Sequence, residues 1–263
     1  MTTKDDDSVL VVQDDRGVVT LRLNRPEAFN ALSESVLARL QAELDKLARN
    51  EEARVVVLES TGKAFCAGHD LKEMRSQPSL DYYRKLFTQC ASVMLSLQRL
   101  PVPVIAKVQG IATAAGCQLV AACDLAVAAD TAKFAVSGVN LGLFCSTPAV
   151  ALSRNIGRKS AFEMLVTGNF ISAAQALQKG LINQTVEPNQ VDACVAQLVD
   201  SILAKPREAV AMGKQLFYRQ IEVGVAAAYE QAAQTMACNM MEASALEGVQ
   251  AFIDKRPPQW ATP

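Results

Sequence analysis

Two alanine- and glycine-rich segments of this chain could do chemistry through their backbone amides. The first, KAFCAGHDLKEM (residues 63–74), places Ala67 and Gly68 between an apolar run and a predicted helix. The second, ATAAG (residues 112–116), also follows an apolar run and begins a predicted helix. The first N–H groups of a helix have no internal acceptor and carry partial positive charge. Two such amides aimed at one carbonyl oxygen would form an oxyanion hole, although spacing alone also allows each turn to be a packing device.

Two polar side chains stand next to these turns. His69 is the only histidine in the sequence, so zinc sites with two or three histidines are excluded and a Ser-His-Asp triad would have to use it. Its ring could act as an acid or base, or could only cover the mouth of a pocket. Gln118 can hydrogen-bond a substrate or a water, but its neutral amide cannot serve as a general base. We predict no metal site.

The composition narrows the possible partners. Lys and Arg number 26 against 27 for Asp and Glu, so no basic excess favours nucleic acid. No run of 18 apolar residues predicts a membrane span, and the acidic start MTTKDDDSV resembles neither a signal nor a transit peptide. The seven cysteines are odd in number and form no CxxC pair, which favours reduced thiols. These features together predict a cytoplasmic protein.

An α/β core must position the two turns. Residues 9–12 and 18–23 predict a hairpin, and residues 54–58, 104–108 and 125–129 predict buried strands. Helices are predicted from Ser33, over about 80–99, and over 116–123. We therefore expect a core over residues 1–195 and a helical region over 196–263. The Ala- and Met-rich run 225–252 could pack on a partner subunit or on its own domain.

Several segments in the same order resemble the crotonase (enoyl-CoA hydratase/isomerase) family. They are KAFCAGHDLKEM, PVIAKVQGIATAAGCQL, CDLAVAADTAKFA, MLVTGNFISAAQALQKGLIN and EGVQAFIDKRPPQW, and the similarity begins at LNRPEAFNAL. The segments GIATAAGCQLVAACD and GVNLGLFCSTPAVAL further resemble one particular group within that family. The resemblance implies a spiral of ββα units with C-terminal helices that form a homotrimer or a dimer of trimers. It also implies an acyl-CoA thioester as the substrate, with coenzyme A as part of that substrate and no separate cofactor.

The resemblance assigns roles to individual positions. The two oxyanion amides fall on His69 and Ala115, and Asp70 is expected to cap the helix beside it. The substrate-binding positions are Ala28, Ala64, Ala67, Gly68, Asp70, Leu71, Lys72, Gly116, Gly138 and Cys145. Four cationic residues are candidates for the coenzyme A phosphates, namely Arg25, Lys72, Lys255 and Arg256.

The chain departs from the family at three catalytic positions. Gln118 and Gly138 stand where the family hydratases have two glutamates, and Ser146 stands where some isomerases have an acid. Ser146 could be a catalytic group near the acyl chain, or its hydroxyl could only satisfy nearby backbone. Because acid–base groups commonly contribute about 10²–10⁴-fold, we expect weak hydratase activity.

Three functions remain open at this point. The first is a divergent hydratase or isomerase, that is, a lyase-type enzyme acting on enoyl-CoA. The second is a decarboxylase or thioester hydrolase that stabilises an enolate or oxyanion, and the third is a non-catalytic acyl-CoA-binding subunit.

Overall fold

A computed structural model gives the architecture, and it describes residues 6–260. Within this range, the strands are β1 Val9–Gln13, β2 Val18–Leu23, β3 Val55–Ser60, β4 Ala64–Cys66, β5 Val104–Val108, β6 Ile111–Thr113, β7 Leu125–Ala129, β8 Lys133–Ala135, β9 Ile171–Ser172 and β10 Gln184–Val186. The helices are α1 Glu34–Leu47, α2 Leu71–Ser76, α3 Leu80–Arg99, α4 Ala115–Ala122, α5 Ser146–Asn155, α6 Arg158–Thr167, α7 Ala173–Lys179, α8 Val191–Leu203, α9 Arg207–Gln220, α10 Val225–Met240 and α11 Ala243–Ile253.

The first sheet has six strands in the order β1-β2-β3-β5-β7-β10. Strands β1 and β2 form the predicted antiparallel hairpin, and the remaining pairs are parallel. The central strands have apolar residues on both faces, as expected for a parallel sheet covered on both sides. This sheet supports the second sheet and the turns that follow the strands of the second sheet.

The second sheet is short and has the order β4-β6-β8-β9. Strands β4, β6 and β8 run parallel and hold three residues each. Successive units of the chain give one strand to each sheet, with β3 and β4 in the first unit, β5 and β6 in the next, and β7 and β8 in the third. The predicted spiral of ββα units is therefore confirmed.

Helices α1, α3 and α4 form with their sheets one continuous apolar core. Helix α1 begins where predicted, because the Ser33 side chain accepts a hydrogen bond from the Val36 amide at 3.3 Å. Every residue of α4 is buried, which agrees with its nearly all-apolar sequence. A buried helix of this kind can move little, so its first turn is a well-fixed place for a binding group.

The C-terminal helices differ in how they meet the core. Helix α8 covers the outer face of the first sheet through Val191, Val195 and Val199, and the predicted boundary at residue 195 lies inside it. The single helical run expected over 225–252 is two helices, α10 and α11, and no residue of α10 is buried. Along residues 6–260, no helix combines the length and apolar character that a bilayer crossing needs.

Candidate active site

The two small-residue turns lie side by side at one edge of the second sheet. The first turn follows β4 and the second follows β6, its parallel neighbour, so both leave the sheet at the same edge. Gly68 has φ +94°, and a Cβ built on it would lie 2.9 Å from the Ala114 Cβ and 3.3 Å from the Ala115 nitrogen. The turns are therefore in direct contact, and glycine is required at this position by both backbone conformation and space.

Backbone pairing directs the His69 amide away from the neighbouring chain. The Leu32 amide donates to the Gly68 carbonyl at 2.8 Å, and the Asp70 amide donates to the Leu32 carbonyl at 3.2 Å. Because backbone groups alternate in direction along an extended chain, the N–H of His69 faces the opposite side. The N–H of Ala115 belongs to the first residue of α4 and has no acceptor within the helix. Both amides are thus free to bind a ligand.

Ala114, the residue directly before Ala115, has an unusual backbone conformation. Its φ is 50° and its ψ is −121°, a region that non-glycine residues rarely occupy. Hydrogen bonds hold it there, from its own amide to the Ala135 carbonyl at 3.0 Å and from the Gln118 amide to its carbonyl at 3.1 Å. Such a conformation costs on the order of 1–3 kcal/mol and persists only where the surrounding structure enforces it.

Gly116 fixes the start of α4 against β4. A Cβ on Gly116 would lie 2.0 Å from the Cys66 carbonyl oxygen, so any larger residue would push the helix off the strand. The position of the Ala115 amide relative to the first turn is therefore set by direct backbone contact between the two elements.

A cavity of about 290 Å³ opens beside the two turns. Its wall brings together seven of the predicted site residues, Ala67, His69, Leu71, Ala115, Gly138, Cys145 and Ser146. Nine further wall residues were not among the predicted site residues, and they are Met74, Phe87, Ala114, Ser137, Leu141, Leu143, Phe144, Thr147 and Pro148. Most of these come from α2, α3 and the segment 137–148, where the residue types alone indicate no chemistry.

Other predicted residues support the cavity from behind or lie outside its wall. Ala64, Gly68 and Gly116 are buried behind it, in β4 and at the contact between the two turns. Ala28 lies in a 3₁₀ turn over Pro26–Ala28, and Lys72 is exposed on α2. None of these five residues forms part of the described cavity wall.

Gln118 is buried one turn into α4 and also lies outside the wall. Only 3% of the residue is exposed, and its Oε1 has no hydrogen-bond partner among the described residues. A buried acceptor without a partner costs about 1–3 kcal/mol.

The His69 ring forms part of the wall and meets Phe87 edge to face, with ring centroids 5.3 Å apart. Both ring nitrogens are buried and make no hydrogen bond of standard geometry with the described residues. Burial lowers the pKa of His69, and the nearby Leu32 backbone offsets this only in part. The imidazole is therefore held in its neutral form.

Asp70 and Arg25 brace the first turn. The Asp70 carboxylate accepts from the amides of Lys72 at 3.1 Å and Glu73 at 3.3 Å, which confirms the predicted helix cap. Its other oxygen pairs with the Arg25 guanidinium at 3.3 Å, and Arg25 also donates to the Ala31 carbonyl at 3.1 Å. The Arg25 side chain is thus engaged within the turn.

The two C-terminal cations lie just after α11. Arg256 makes two hydrogen bonds to the Glu247 carboxylate, at 2.7 and 3.0 Å, and these lower the pKa of Glu247 to about 2. Lys255 has φ 56° and is exposed. Neither residue contributes to the cavity wall in this chain.

The segment after β8 closes the far side of the cavity. The Gly138 amide donates to the Cys145 Sγ at 3.3 Å, and burial raises the pKa of that thiol. A Cβ on Gly138 would lie 2.5 Å from the Leu143 carbonyl oxygen, so crowding, rather than a positive φ, excludes a larger residue here. Ser146 begins α5, is exposed, and donates weakly to the Phe144 carbonyl at 3.4 Å.

A second, larger cleft of about 1520 Å³ lies elsewhere. It runs between the β1–β2 turn, the start of α9 and the end of the chain, and it shares no lining residue with the cavity described above. Charged side chains of both signs line it, and it contains neither small-residue turn. Size alone therefore does not identify the site.

Comparison with known proteins matches this chain to characterised sequences along nearly all of its length. The family model described as enoyl-CoA hydratase/isomerase matches residues 13–263. The rat protein named enoyl-CoA hydratase domain-containing protein 3, mitochondrial, is 44% identical over 93% of this chain and 82% of its own length. This group is the one whose motifs the sequence resembled, so that interpretation is confirmed.

Solved structures agree with the fold. A crystal structure of an enoyl-CoA hydratase from Mycobacterium smegmatis is 64% identical, with TM-score 0.96 over 97% of this chain and 99% of that one. The human enoyl-CoA hydratase domain-containing protein 3 is 41% identical, with TM-score 0.93 over 96% of this chain and 100% of its own. The predicted α/β fold class is therefore correct.

The predicted cytoplasmic location is wrong. Relatives from rat, mouse and human that are 42–44% identical are named mitochondrial proteins. Six of the seven thiols are buried and only Cys238 is exposed, so the cysteines stay unpaired in either compartment and could not identify one. Residues 1–5, on which the rest of that prediction depended, lie outside the described residues.

Proposed function

Because the chain belongs to the enoyl-CoA hydratase/isomerase family, we propose that it binds a coenzyme A thioester between the amides of His69 and Ala115. The single observation that supports this most is the close approach of Gly68 to Ala114 and Ala115, which sets the two turns side by side. The carbonyl oxygen of the thioester accepts from both amides, and the acyl group enters the apolar cavity.

The two amides act on charge that develops at the carbonyl oxygen. Removing one donor from an oxyanion hole typically costs about 3 kcal/mol of barrier stabilisation. An enolate formed next to the carbonyl carbon carries its charge on the same oxygen, so this arrangement stabilises that intermediate as well. Because α4 packs directly against β4, the two amides can stabilise this charge without a change in their own positions.

The ionisable side chains among the described wall residues are His69 and Cys145. Burial favours the neutral form of each, since it lowers the pKa of His69 and raises that of Cys145. With Gln118 and Gly138 at the positions of the family glutamates, we expect hydration of an enoyl thioester to be slow. The activity of this chain is then that of a divergent hydratase or isomerase that relies mainly on the two amides.

A second candidate is decarboxylation of a thioester with a carboxylate on carbon 2. Loss of carbon dioxide generates the enolate directly and needs no base. A neutral, mostly apolar wall favours decarboxylation, because it destabilises the carboxylate of the bound substrate. The wall also presents no negative charge that would repel this carboxylate. Thioester hydrolysis with an oriented water is a variant of the same use of the amides.

The chain also supports a trimeric assembly, alone or as a pair of trimers. Helices α10 and α11 expose large apolar residues that no part of the described chain covers, among them Tyr229, Met236 and Phe252. Our candidates for contacts with the coenzyme A phosphates in such an assembly remain Arg25, Lys72, Lys255 and Arg256.

Binding and polarisation can be tested together with butyryl-CoA that carries ¹³C at the thioester carbonyl. The thioester should bind about tenfold or more tightly than S-butyl-CoA, the thioether in which a methylene replaces that carbonyl, because the thioether cannot accept from the amides. The labelled carbonyl should shift to lower frequency in difference infrared spectra. Equal affinities and an unshifted carbonyl band would place the site elsewhere.

Mass spectrometry of the products separates the reactions. The protein is incubated with crotonyl-CoA and, separately, with methylmalonyl-CoA. Added water indicates a hydratase, a product of unchanged mass but new chromatographic retention an isomerase, lost carbon dioxide a decarboxylase, and free coenzyme A a hydrolase. Tight binding with no product from either substrate supports the third alternative, a binding subunit.

A further inference from the structure

A pair of hydroxyl groups stands at the cavity, beside the second turn. The Thr113 and Ser137 hydroxyls lie 2.8 Å apart, and Ser137 forms part of the cavity wall. Thr113 ends β6 and is paired in register with Ala135 at the end of β8, so two neighbouring strands deliver the hydroxyls to one place.

The hydroxyl pair is close to the carbonyl site. Thr113 precedes Ala115 by two residues, so their Cα atoms are at most about 7 Å apart. Carbon 3 of a bound acyl group is two bonds beyond the thioester carbonyl. An oxygen on carbon 3 is therefore the part of the acyl group that we infer a hydroxyl at this strand end would meet.

The two hydroxyls keep unused hydrogen-bonding capacity. Each hydroxyl offers one donor and two acceptor lone pairs, and a single bond between them uses one donor and one acceptor. Neither hydroxyl bonds a backbone group among the described residues. Ser146 differs, because its hydroxyl bonds the Phe144 carbonyl of its own loop.

We propose that Ser137, oriented by Thr113, is a subsite for an oxygen on carbon 3 of the acyl group, so that 3-hydroxyacyl or 3-oxoacyl thioesters are preferred over plain acyl thioesters. Ser137 contacts the ligand, and Thr113 positions Ser137. The hydroxyls bind and orient this oxygen, and neither exchanges a proton with the substrate. The inference rests on the proposed thioester site and names the substrate class that the site selects.

An apolar chain at this point would cover the Ser137 hydroxyl without replacing its hydrogen bond to water. A site built around a polar group rejects a ligand that lacks the matching group more strongly than an apolar site rejects an extra hydroxyl. The remaining wall near this point is apolar, with Leu141, Leu143 and Phe144 on the segment that follows. One hydrogen bond of ordinary strength then corresponds to a preference of about fivefold.

Calorimetric binding of 3-hydroxybutyryl-CoA and butyryl-CoA tests the proposal. Wild type should prefer the hydroxylated thioester by about fivefold or more. Ser137→Ala should abolish the preference, because it weakens binding of the hydroxylated thioester more than binding of butyryl-CoA. Thr113→Val, which keeps the shape of the side chain, should reduce the preference by leaving Ser137 unoriented, and Ser92→Ala, an exposed hydroxyl on α3, should leave it unchanged.

Two results would overturn the subsite. One is equal affinity of wild type for both thioesters, which requires no variant to fold. The other is an undiminished preference in a Ser137→Ala protein whose thermal melt is normal. If neither thioester binds more tightly than free coenzyme A, the thioester site itself is wrong, and that outcome differs from both of these.

Discussion

At the scale of single residues, His69 is the most informative side chain. Its neutral ring forms part of the cavity wall, and its backbone amide is one of the two donors that we propose for the carbonyl. Because it is the only histidine in the sequence, its titration can be observed without interference from another imidazole.

We predict that His69 makes stability depend on pH below about 6.5. The pKa of His69 is lowered in the folded protein, so between that value and about 6.5 the unfolded chain binds a proton that the folded protein does not. The free energy of unfolding should therefore fall as the pH is lowered through this window. In His69→Gln this contribution is absent. The difference in free energy of unfolding between wild type and His69→Gln should therefore be constant above about pH 7.

Urea unfolding at a series of pH values measures the effect, and the single imidazole resonance gives the pKa directly. Shared carboxylates cancel in the difference curve. Parallel stability curves, or an imidazole that titrates at or above its ordinary value, would contradict the burial argument.

Ala114 stores strain that a glycine would release. We predict that Ala114→Gly raises the free energy of unfolding by about 1 kcal/mol, since relief of about 1–3 kcal/mol of strain is offset in part by the greater freedom of glycine in the unfolded chain. Ala112→Gly is the matched control, because Ala112 is buried in β6 without a positive φ and should lose about 1 kcal/mol.

Thermal and denaturant unfolding of both variants decide this point. Loss of stability in Ala114→Gly equal to that in Ala112→Gly would mean that the backbone at Ala114 is not strained. Weaker acyl-CoA binding in a more stable Ala114→Gly protein would show that the rigid turn serves the site rather than the fold.

At the scale of elements, one buried lysine fastens α9 to the core. The Lys214 ammonium donates to the carbonyls of Leu97 at 2.8 Å and Val102 at 2.9 Å and to Asp124 at 2.7 Å. Asp124 also accepts from the Val104 amide at 2.6 Å and from the Tyr218 hydroxyl at 2.8 Å. The cluster therefore joins α9 to the beginning of β5, the strand that leads to the second turn.

We predict that Lys214→Met lowers the free energy of unfolding by about 3 kcal/mol, because it leaves the half-buried Asp124 carboxylate with no opposite charge. The double variant Lys214→Met with Asp124→Asn should recover part of the loss, since no unpaired charge remains. Urea unfolding measures both proteins. A loss below about 1 kcal/mol in the single variant would mean that the cluster does not hold α9.

The elements could be predicted from the sequence where their patterns were long. Ser33 and the spacing of Leu37, Leu40 and Leu44 identified α1, and the runs 54–58, 104–108 and 125–129 identified the central strands. The second sheet could not be found, because strands of three residues are too short to show an alternating pattern.

The site was predictable only in its backbone component. Small residues at Gly68 and Ala115 identified the two turns, whereas their contact is a tertiary fact that spacing does not contain. Cys145 and Ser146 were identified through the family resemblance, whereas the apolar wall residues Leu141, Leu143 and Phe144 are of ordinary type and gain their role only by position. The placement of Gln118 outside the wall likewise depends on the packing of α4.

At the scale of the whole molecule, the C-terminal helices leave an apolar surface open. Tyr229, Met236 and Met241 are between 71% and 77% exposed, and Phe252 is 86% exposed. Contiguous apolar surface of this kind marks an interface in most proteins. A second copy of the chain is the occupant that the family resemblance implies.

We predict that light scattering gives three or six times the 28.2 kDa mass of one chain. Met236→Glu places a charge in the apolar surface of α10 and should shift the protein toward a monomer at micromolar concentration. Ser92→Glu, on the exposed face of α3, is the control and should leave the mass unchanged. A wild-type protein of 28.2 kDa at these concentrations would contradict the assembly.

The stacking of successive ββα units has a consequence for how such a protein can diversify. The first two units each end in one of the turns whose amides we propose as carbonyl donors, whereas the third unit ends in Ser137 and Gly138. Substitutions in the third turn can therefore change the outcome at the acyl carbons without loosening the hold on the thioester. After a gene duplication, substitutions confined to the third turn could therefore change the reaction. The first two turns would be retained, so each intermediate sequence would still bind a coenzyme A thioester at the proposed site.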